Sequence, residues 1–149
     1  MTDLATLWAA LPQLSNIHAS ADGSWAFWCM AGLTDTENVW CAPLDGSAPP
    51  RMLTDGRDHY LIRDVAPDGR RLILAQSLNA NEHDHLLILD RETKALTQIT
   101  PTQDTHYVYG GVLAKDGSAL FFLADFDYHR NEVTQGAWLW RQDLTTGLR

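Results

Sequence analysis

The chain has 149 residues, 45% apolar and 20% charged, a composition that builds a packed core rather than a disordered coil. A net charge of −8 excludes a basic face that tracks phosphates along nucleic acid. No stretch approaches the roughly 18 apolar residues of a membrane-spanning helix. Met1-Thr2-Asp3-Leu4 also lacks the basic start and apolar run of a secretory signal, so the expected location is the cytoplasm, with no membrane partner.

Residues 2–14 read as a short helix, with Leu4, Leu7, Trp8 and Leu11 on one face and Pro12 as its stop. Strands follow at Asn16–Ser20, Trp25–Met30, Val39–Leu44 and Arg51–Thr54. The turn Asp22-Gly23 joins the first two, the polar loop Gly32–Asn38 the next two, and Asp45-Gly46 and Pro49-Pro50 precede the last. The order then repeats. Tyr60–Ala66, the turn Asp68-Gly69, Arg71–Ser77, the loop Leu78–Asp84, Leu86–Asp90 and Ala95–Thr100 form a second unit. Tyr107–Leu113, the turn Asp116-Gly117, Ser118–Ala124, the loop Asp125–Gly136 and Ala137–Gln142 form a third. Each Asp-Gly pair between apolar runs predicts a two-residue hairpin turn with positive φ at both central positions.

The turn glycines lie at 23, 69 and 117, spacings of 46 and 48 residues. Four short strands per repeat of that length describe a β-propeller blade. Runs such as Leu72-Ile73-Leu74, Leu86–Leu89 and Leu120–Leu123 fit strands buried on both faces, each blade being covered by the next. A self-contained β-sandwich would alternate apolar and polar residues more cleanly. The expected fold is therefore all-β: a partial β-propeller of about three four-stranded antiparallel blades behind a short N-terminal helical segment. Its divisions are residues 1–15 for the helical segment, 16–56 for blade 1, 57–103 for blade 2 and 104–149 for blade 3. The third unit stops before its fourth strand, and three blades do not close a ring that needs about four to eight. The expectation is an N-terminal piece of a longer protein, or a chain that closes by association with its own copies through open blade faces.

The repeat Ala66-Pro67-Asp68-Gly69-Arg70-Arg71-Leu72-Ile73-Leu74 resembles the S-P-D-G-x-x-I-A-F blade motif of TolB-type propellers, which is shared with the propeller domain of the prolyl oligopeptidase family of serine peptidases. Leu11–Asn16 is similar to the opening of the dipeptidyl-aminopeptidase and acylaminoacyl-peptidase branch, and Asn81–Asp90 to the N-E-x-x-D-L-x-x-x-D stretch of its second blade. The Ser-Pro of the motif is replaced by Ser20-Ala21, Ala66-Pro67 and Ala114-Lys115, which leaves the Asp-Gly turn intact. The resemblance implies a parent that hydrolyses short peptides. Its Ser-Asp-His triad would lie in a C-terminal α/β-hydrolase domain, and this propeller would cover the active site and filter substrates by size. The 149 residues contain no Gly-x-Ser-x-Gly elbow, so no catalytic residue and no cofactor is assigned to them. A non-enzymatic TolB-like propeller that mediates protein contacts is the alternative.

Four patterns carry possible chemistry. The loop holding Asp127, His129, Arg130 and Glu132 is the longest inside a repeat and supplies candidate substrate contacts, against the reading of a solvated loop. In the related peptidases a charged propeller residue can bind the substrate's amino end. His83-x-His85, beside Glu82 and Asp84, reads as a metal site or as a polar loop entering a strand. Trp25, Trp28, Trp40, Trp138 and Trp140 read as a stacking platform or as packing between blades. Cys29 and Cys41 fall opposite each other if the hairpin tip lies near Asp35, giving either a cross-strand disulfide or two half-buried thiols.

Overall fold

Arg71–Ser77 sets the architecture, because its side chains are buried on both sides. Leu72 and Leu74 face one way, Ile73 and Ala75 the other, and none is more than 2% exposed. A strand with two dry faces needs a sheet on each, and the computed structural model, which describes residues 11–78, 81, 83–101 and 105–149, supplies them. Eleven strands form three antiparallel sheets among these residues. The first contains β1 (Gln13–Ala19), β2 (Trp25–Ala31), β3 (Asn38–Pro43) and β4 (Arg51–Met52). The second contains β5 (His59–Val65), β6 (Arg71–Ser77), β7 (Asp84–Asp90) and β8 (Leu96–Gln98). The third contains β9 (Val108–Leu113), β10 (Ala119–Asp127) and β11 (Glu132–Asp143). In each sheet the strands are hydrogen-bonded in sequence order, as in a propeller blade.

The sheets stack as blades. Leu72 and Leu74 pack with Phe27, Cys29, Val39 and Cys41 of the first sheet, while Ile73 and Ala75 join Leu120, Phe122 and Trp140 of the third. The first strands converge, β5 lying against both β1 and β9. Asn16 Oδ1 accepts the Ile62 N–H at 2.7 Å, and Asp64 Oδ2 accepts the Leu113 N–H at 2.7 Å. Each bond crosses a seam to a side chain carried at a bulge in the first strand of the preceding blade, and an unpaired buried N–H there would cost about 1–3 kcal/mol. The bulges fall in the first strand of every blade: at Ser15/His18, at Ile62/Asp64 and beside Gly110 and Gly111.

The structure corrects five sequence expectations. Gln13 and Leu14 belong to β1, so the helix expected over 2–14 does not extend to its stated end, and residues 1–10 lie outside the described residues. The Asp-Gly turns are four-residue loops. The Ser20 N–H donates to Trp25 O and the Gly23 N–H to Ser20 O, with the same pair at Ala66/Arg71/Gly69 and Ala114/Ala119/Gly117. Only the glycine takes positive φ, while the Asp carboxylate accepts the N–H two residues on and so holds the turn itself. Cys29 lies opposite Val39 and Cys41 opposite Phe27, two residues out of the expected register, and both thiols are free and buried rather than half-buried. Burial pushes the Cys29 thiol up to about 11 and raises Cys41 as well. Leu120–Leu123 is covered on one side only among the described residues: Leu120 is fully buried and Leu123 is 41% exposed. The fifth correction is the loop Asp125–Gly136, most of which is strand.

Candidate functional site

Residues 119–127 and 132–143 form a long hairpin whose turn is Tyr128–Asn131. Its geometry follows a pattern repeated in the chain. Asp90, Asp127 and Asp143 each open a turn in which the fifth residue, Lys94, Asn131 or Gly147, has positive φ and donates its N–H back to the Asp carbonyl. Asp127 Oδ1 accepts the His129 N–H at 2.9 Å and the Arg130 N–H at 3.1 Å, as Asp90 Oδ1 accepts from Glu92 and Thr93. These bonds, from Arg130 first, hold the Asp127 carboxyl below its ordinary value. Asp127 is 5% exposed. Its carboxylate builds the turn, and the side chains offered to solvent are those of its neighbours.

Arg130 stands at the tip with its side chain 72% exposed, 3.6 Å from Asp127 Oδ2 and 3.7 Å from Glu132 Oε1. Glu132, 57% exposed, faces water. The tip therefore presents one guanidinium and one carboxylate side by side. Such a pair can meet a peptide's carboxylate and ammonium groups, at the modest strength of exposed ion pairs. His129 is exposed and tilts over Trp140, ring centroids 5.2 Å apart. The structure thus brings all four candidates to one turn and divides their roles: Asp127 is structural, while His129, Arg130 and Glu132 are accessible.

Beneath the tip lies an aromatic cluster that the sequence reading missed. Tyr128 meets Trp140 edge-on at 5.1 Å and lies close to Phe122, Phe126 and His106. The Arg149 guanidinium covers the Tyr128 ring at 4.1 Å and donates to Ile99 O of the second sheet. Burial pushes the Tyr128 hydroxyl up to about 12 and lowers the His106 pKa below its usual value. His106 stacks on Phe126 at 4.1 Å and is 2% exposed. A second stack runs from His83 to Tyr107 at 4.5 Å and on to Tyr109 at 6.0 Å, with Tyr107 and Tyr109 39% and 47% exposed. Tyr107 and Tyr109 were visible in the sequence as alternate residues of one strand. Nothing local marked His106 as buried.

The two histidines of the metal reading are held by backbone. His83 Nδ1 lies 3.0 Å from His106 O and His85 Nδ1 3.0 Å from Pro101 O. A carbonyl only accepts, so each Nδ1 carries the proton. Asp84 is taken by Arg63 at 2.7 Å, and Glu82 lies outside the described residues. No group of three or more metal-ligating side chains occurs among the described residues. The tryptophans act at seams and faces: Trp25 receives the Arg91 guanidinium of blade 2 at 3.6 Å, Trp140 is buried, and Trp28 pairs with Trp40 across β2 and β3.

No protein-family model matches the sequence, and the search of curated proteins found no match. Solved structures do match. TolB from Acinetobacter baumannii is 15% identical with a TM-score of 0.62, over 91% of this chain and 31% of its own. The β-propeller domain of the trilobed protease from Pyrococcus furiosus is 14% identical with a TM-score of 0.65, over 91% of this chain and 41% of its own. The tricorn protease is 12% identical with a TM-score of 0.66, over 89% of this chain and 14% of its own. The chain thus spans less than half the length of each of these proteins. At such identities the likeness is one of fold: three consecutive blades of a TolB-like β-propeller.

Proposed function

We propose that the chain is the propeller portion of a serine peptidase acting on short peptides, gating access to a C-terminal α/β-hydrolase domain of the same parent. The observation that carries this reading is the blade motif with the Asn81–Asp90 stretch; the likeness to propeller domains of two proteases supports it. In this role the hairpin tip contributes Arg130 and Glu132 as contacts for the charged ends of a peptide, and catalysis belongs to the hydrolase domain. The parent's coding sequence tests the proposal. It predicts a Gly-x-Ser-x-Gly and a downstream His beyond residue 149, a parent labelled by a fluorophosphonate, and residues 1–149 alone without peptidase turnover. A parent holding only further blades, with no fluorophosphonate labelling, overturns it.

The likeness to TolB favours a second reading, a non-enzymatic propeller that scaffolds protein contacts. A parent built of blades alone supports that reading.

A further inference from the structure

We infer that the seam between the second and third sheets is an acid-released latch: as pH falls from about 8 to about 5 the third sheet parts from the second, while the first and second sheets stay packed. Three of the chain's six histidines meet there, His83 and His85 from the second sheet and His106 at the entry to the third. His85 and His106 are each 2% exposed, the two buried histidines among the described residues. His85 donates its Nδ1–H to Pro101 O and His83 its Nδ1–H to His106 O. Two imidazoles of the second sheet thus fasten residues that lie between β8 and β9, where the chain passes to the third sheet. With the proton on Nδ1, His85 Nε2 is a bare lone pair, and it is buried with no hydrogen-bond partner among the described residues. His106 stacks on Phe126, which belongs to the core shared by the second and third sheets, and its Nε2 lies 3.3 Å from the Tyr128 hydroxyl.

A second proton puts a charge where this seam has no place for it. The charged and titratable groups that face His106 are Asp125 from β10, Tyr128 from the hairpin turn, His83 and His85 from the second sheet, and Arg149. Arg149 already sets a fixed positive charge over the Tyr128 ring at 4.1 Å. Within this set only Asp125 is a carboxylate, and its Oδ1 accepts the Tyr107 N–H at 2.6 Å. Asp84, next to His85 in the chain, is paired with Arg63. An imidazolium at His106 would join Arg149 in a site with little water, and one at His85 would bury an Nε2–H with no acceptor. Burial first, with His85, His83 and Arg149 adding to it against the pull of Asp125, keeps the His106 pKa below its ordinary value. Both rings lie where the two sheets meet, so water reaches them when the sheets part.

The first seam, between the first and second sheets, is built differently. On the first strands of its sheets His18 and His59 are only half-buried, and His59 Nδ1 accepts the Glu37 N–H at 3.3 Å. The charge this seam holds is the Arg91 guanidinium over Trp25 at 3.6 Å, and a guanidinium does not titrate near neutral pH. Acid therefore acts on the second seam before the first. A latch of this kind depends on the histidines of one seam and not on the peptidase reading, so a hydrolase domain found or missing in the parent leaves it standing.

Amide hydrogen exchange of residues 1–149, followed by NMR across that pH window and converted to protection factors, tests the latch. Two amides report one seam each: the Leu113 N–H, held by Asp64 Oδ2 across the second, and the Ile62 N–H, held by Asn16 Oδ1 across the first. The window stays above the ordinary carboxylate range of about 4. Below about pH 6.5 the Leu113 protection should fall by up to about tenfold per pH unit for each proton taken up, with the Ile62 protection unchanged. His106→Gln and His85→Gln should each make that fall shallower, with far-UV circular dichroism confirming that the variants are folded. Equal losses at Leu113 and Ile62 in the wild-type chain mean that acid loosens the whole fold, and they overturn the latch. Constant Leu113 protection across the window overturns it too, as does an unchanged slope in both variants.

Discussion

Alanine at the three turn glycines separates backbone strain from contact across a seam. Gly23, Gly69 and Gly117 occupy the same turn with φ of 70°, 62° and 70°, so each substitution carries the same left-handed strain, about 1–2 kcal/mol. Their surroundings differ. At Gly23 the new methyl meets nothing, and only the strain remains. At Gly117 it meets the far end of the Arg71 side chain at 2.7 Å, and a guanidinium on a flexible stem swings aside. At Gly69 it meets Ser20 Cβ at 2.8 Å, an atom fixed to the backbone of the neighbouring turn, with Trp25 Cδ1 at 3.7 Å beyond it. Overpacking of that kind adds about 1–3 kcal/mol. Gly69→Ala should therefore destabilise by about 2–5 kcal/mol and the other two by about 1–2 kcal/mol each. Urea unfolding followed by tryptophan fluorescence reads this directly. At a slope near 2 kcal/mol/M, an extra 2 kcal/mol moves the midpoint by about 1 M with the slope unchanged. Equal losses at all three positions would refute the seam contact between Gly69 and Ser20.

Both cysteines should resist a thiol reagent such as dithionitrobenzoate in the folded protein and react together once urea unfolds it; rapid reaction of either in native buffer would contradict their burial. Leu74→Ala removes a fully buried side chain from the first seam and should cost about 2–5 kcal/mol in urea unfolding, whereas Leu139→Ala, 70% exposed, should cost under about 0.5 kcal/mol in the monomer. Acid should weaken the fold in two stages. His106 has its pKa lowered by burial, so the unfolded chain takes up the proton first and stability declines as pH falls below about 6.5. Asp22, held at about 2 by hydrogen bonds from Ser20 and Ser24, stabilises above the ordinary carboxylate pKa, and that contribution is lost as pH falls from about 4 through about 2. Urea midpoints between pH 8 and 3 check both stages. His106→Gln should flatten the first and Asp22→Asn should reduce the second, which Asp90, Asp116, Asp127 and Asp143 share, and an unchanged profile in either variant would contradict the assignment.

The repeat made the blade architecture legible before any coordinate. Its glycines at 23, 69 and 117 all fall in equivalent turns, and the two-sided run Leu72-Ile73-Leu74 sits in the sheet that, among the described residues, has a neighbour on each side. What escaped was non-local or depended on register. The Cys29–Cys41 offset turns on where a hairpin loop folds, and a shift of two residues moved each thiol away from its expected partner. The Asp125–Gly136 segment looked like a loop because Asp127, His129, Arg130, Asn131 and Glu132 are polar. Yet the turn occupies four residues, and the pattern that marks it, an Asp followed four residues on by a residue of positive φ, also appears at Asp90 and Asp143. Read across the repeats, that pattern identifies Asp127 as a turn-former and leaves Arg130 and Glu132 as the accessible charges. The aromatic cluster around Tyr128 and His106 joins β10, β11 and the segment before β9, and no single window of sequence contains it.

The central claim is that the middle sheet is packed on both faces by neighbouring blades. Methyl nuclear Overhauser effects along β6 test it most directly, because side-chain parity assigns each methyl to one seam. Leu72 and Leu74 should show cross-peaks to Val39 of the first sheet, and Ile73 should show them to Leu120 of the third. Cross-peaks from Leu72, Ile73 and Leu74 to one and the same sheet, or none from Ile73 to the third sheet, would contradict stacked blades and with them the propeller.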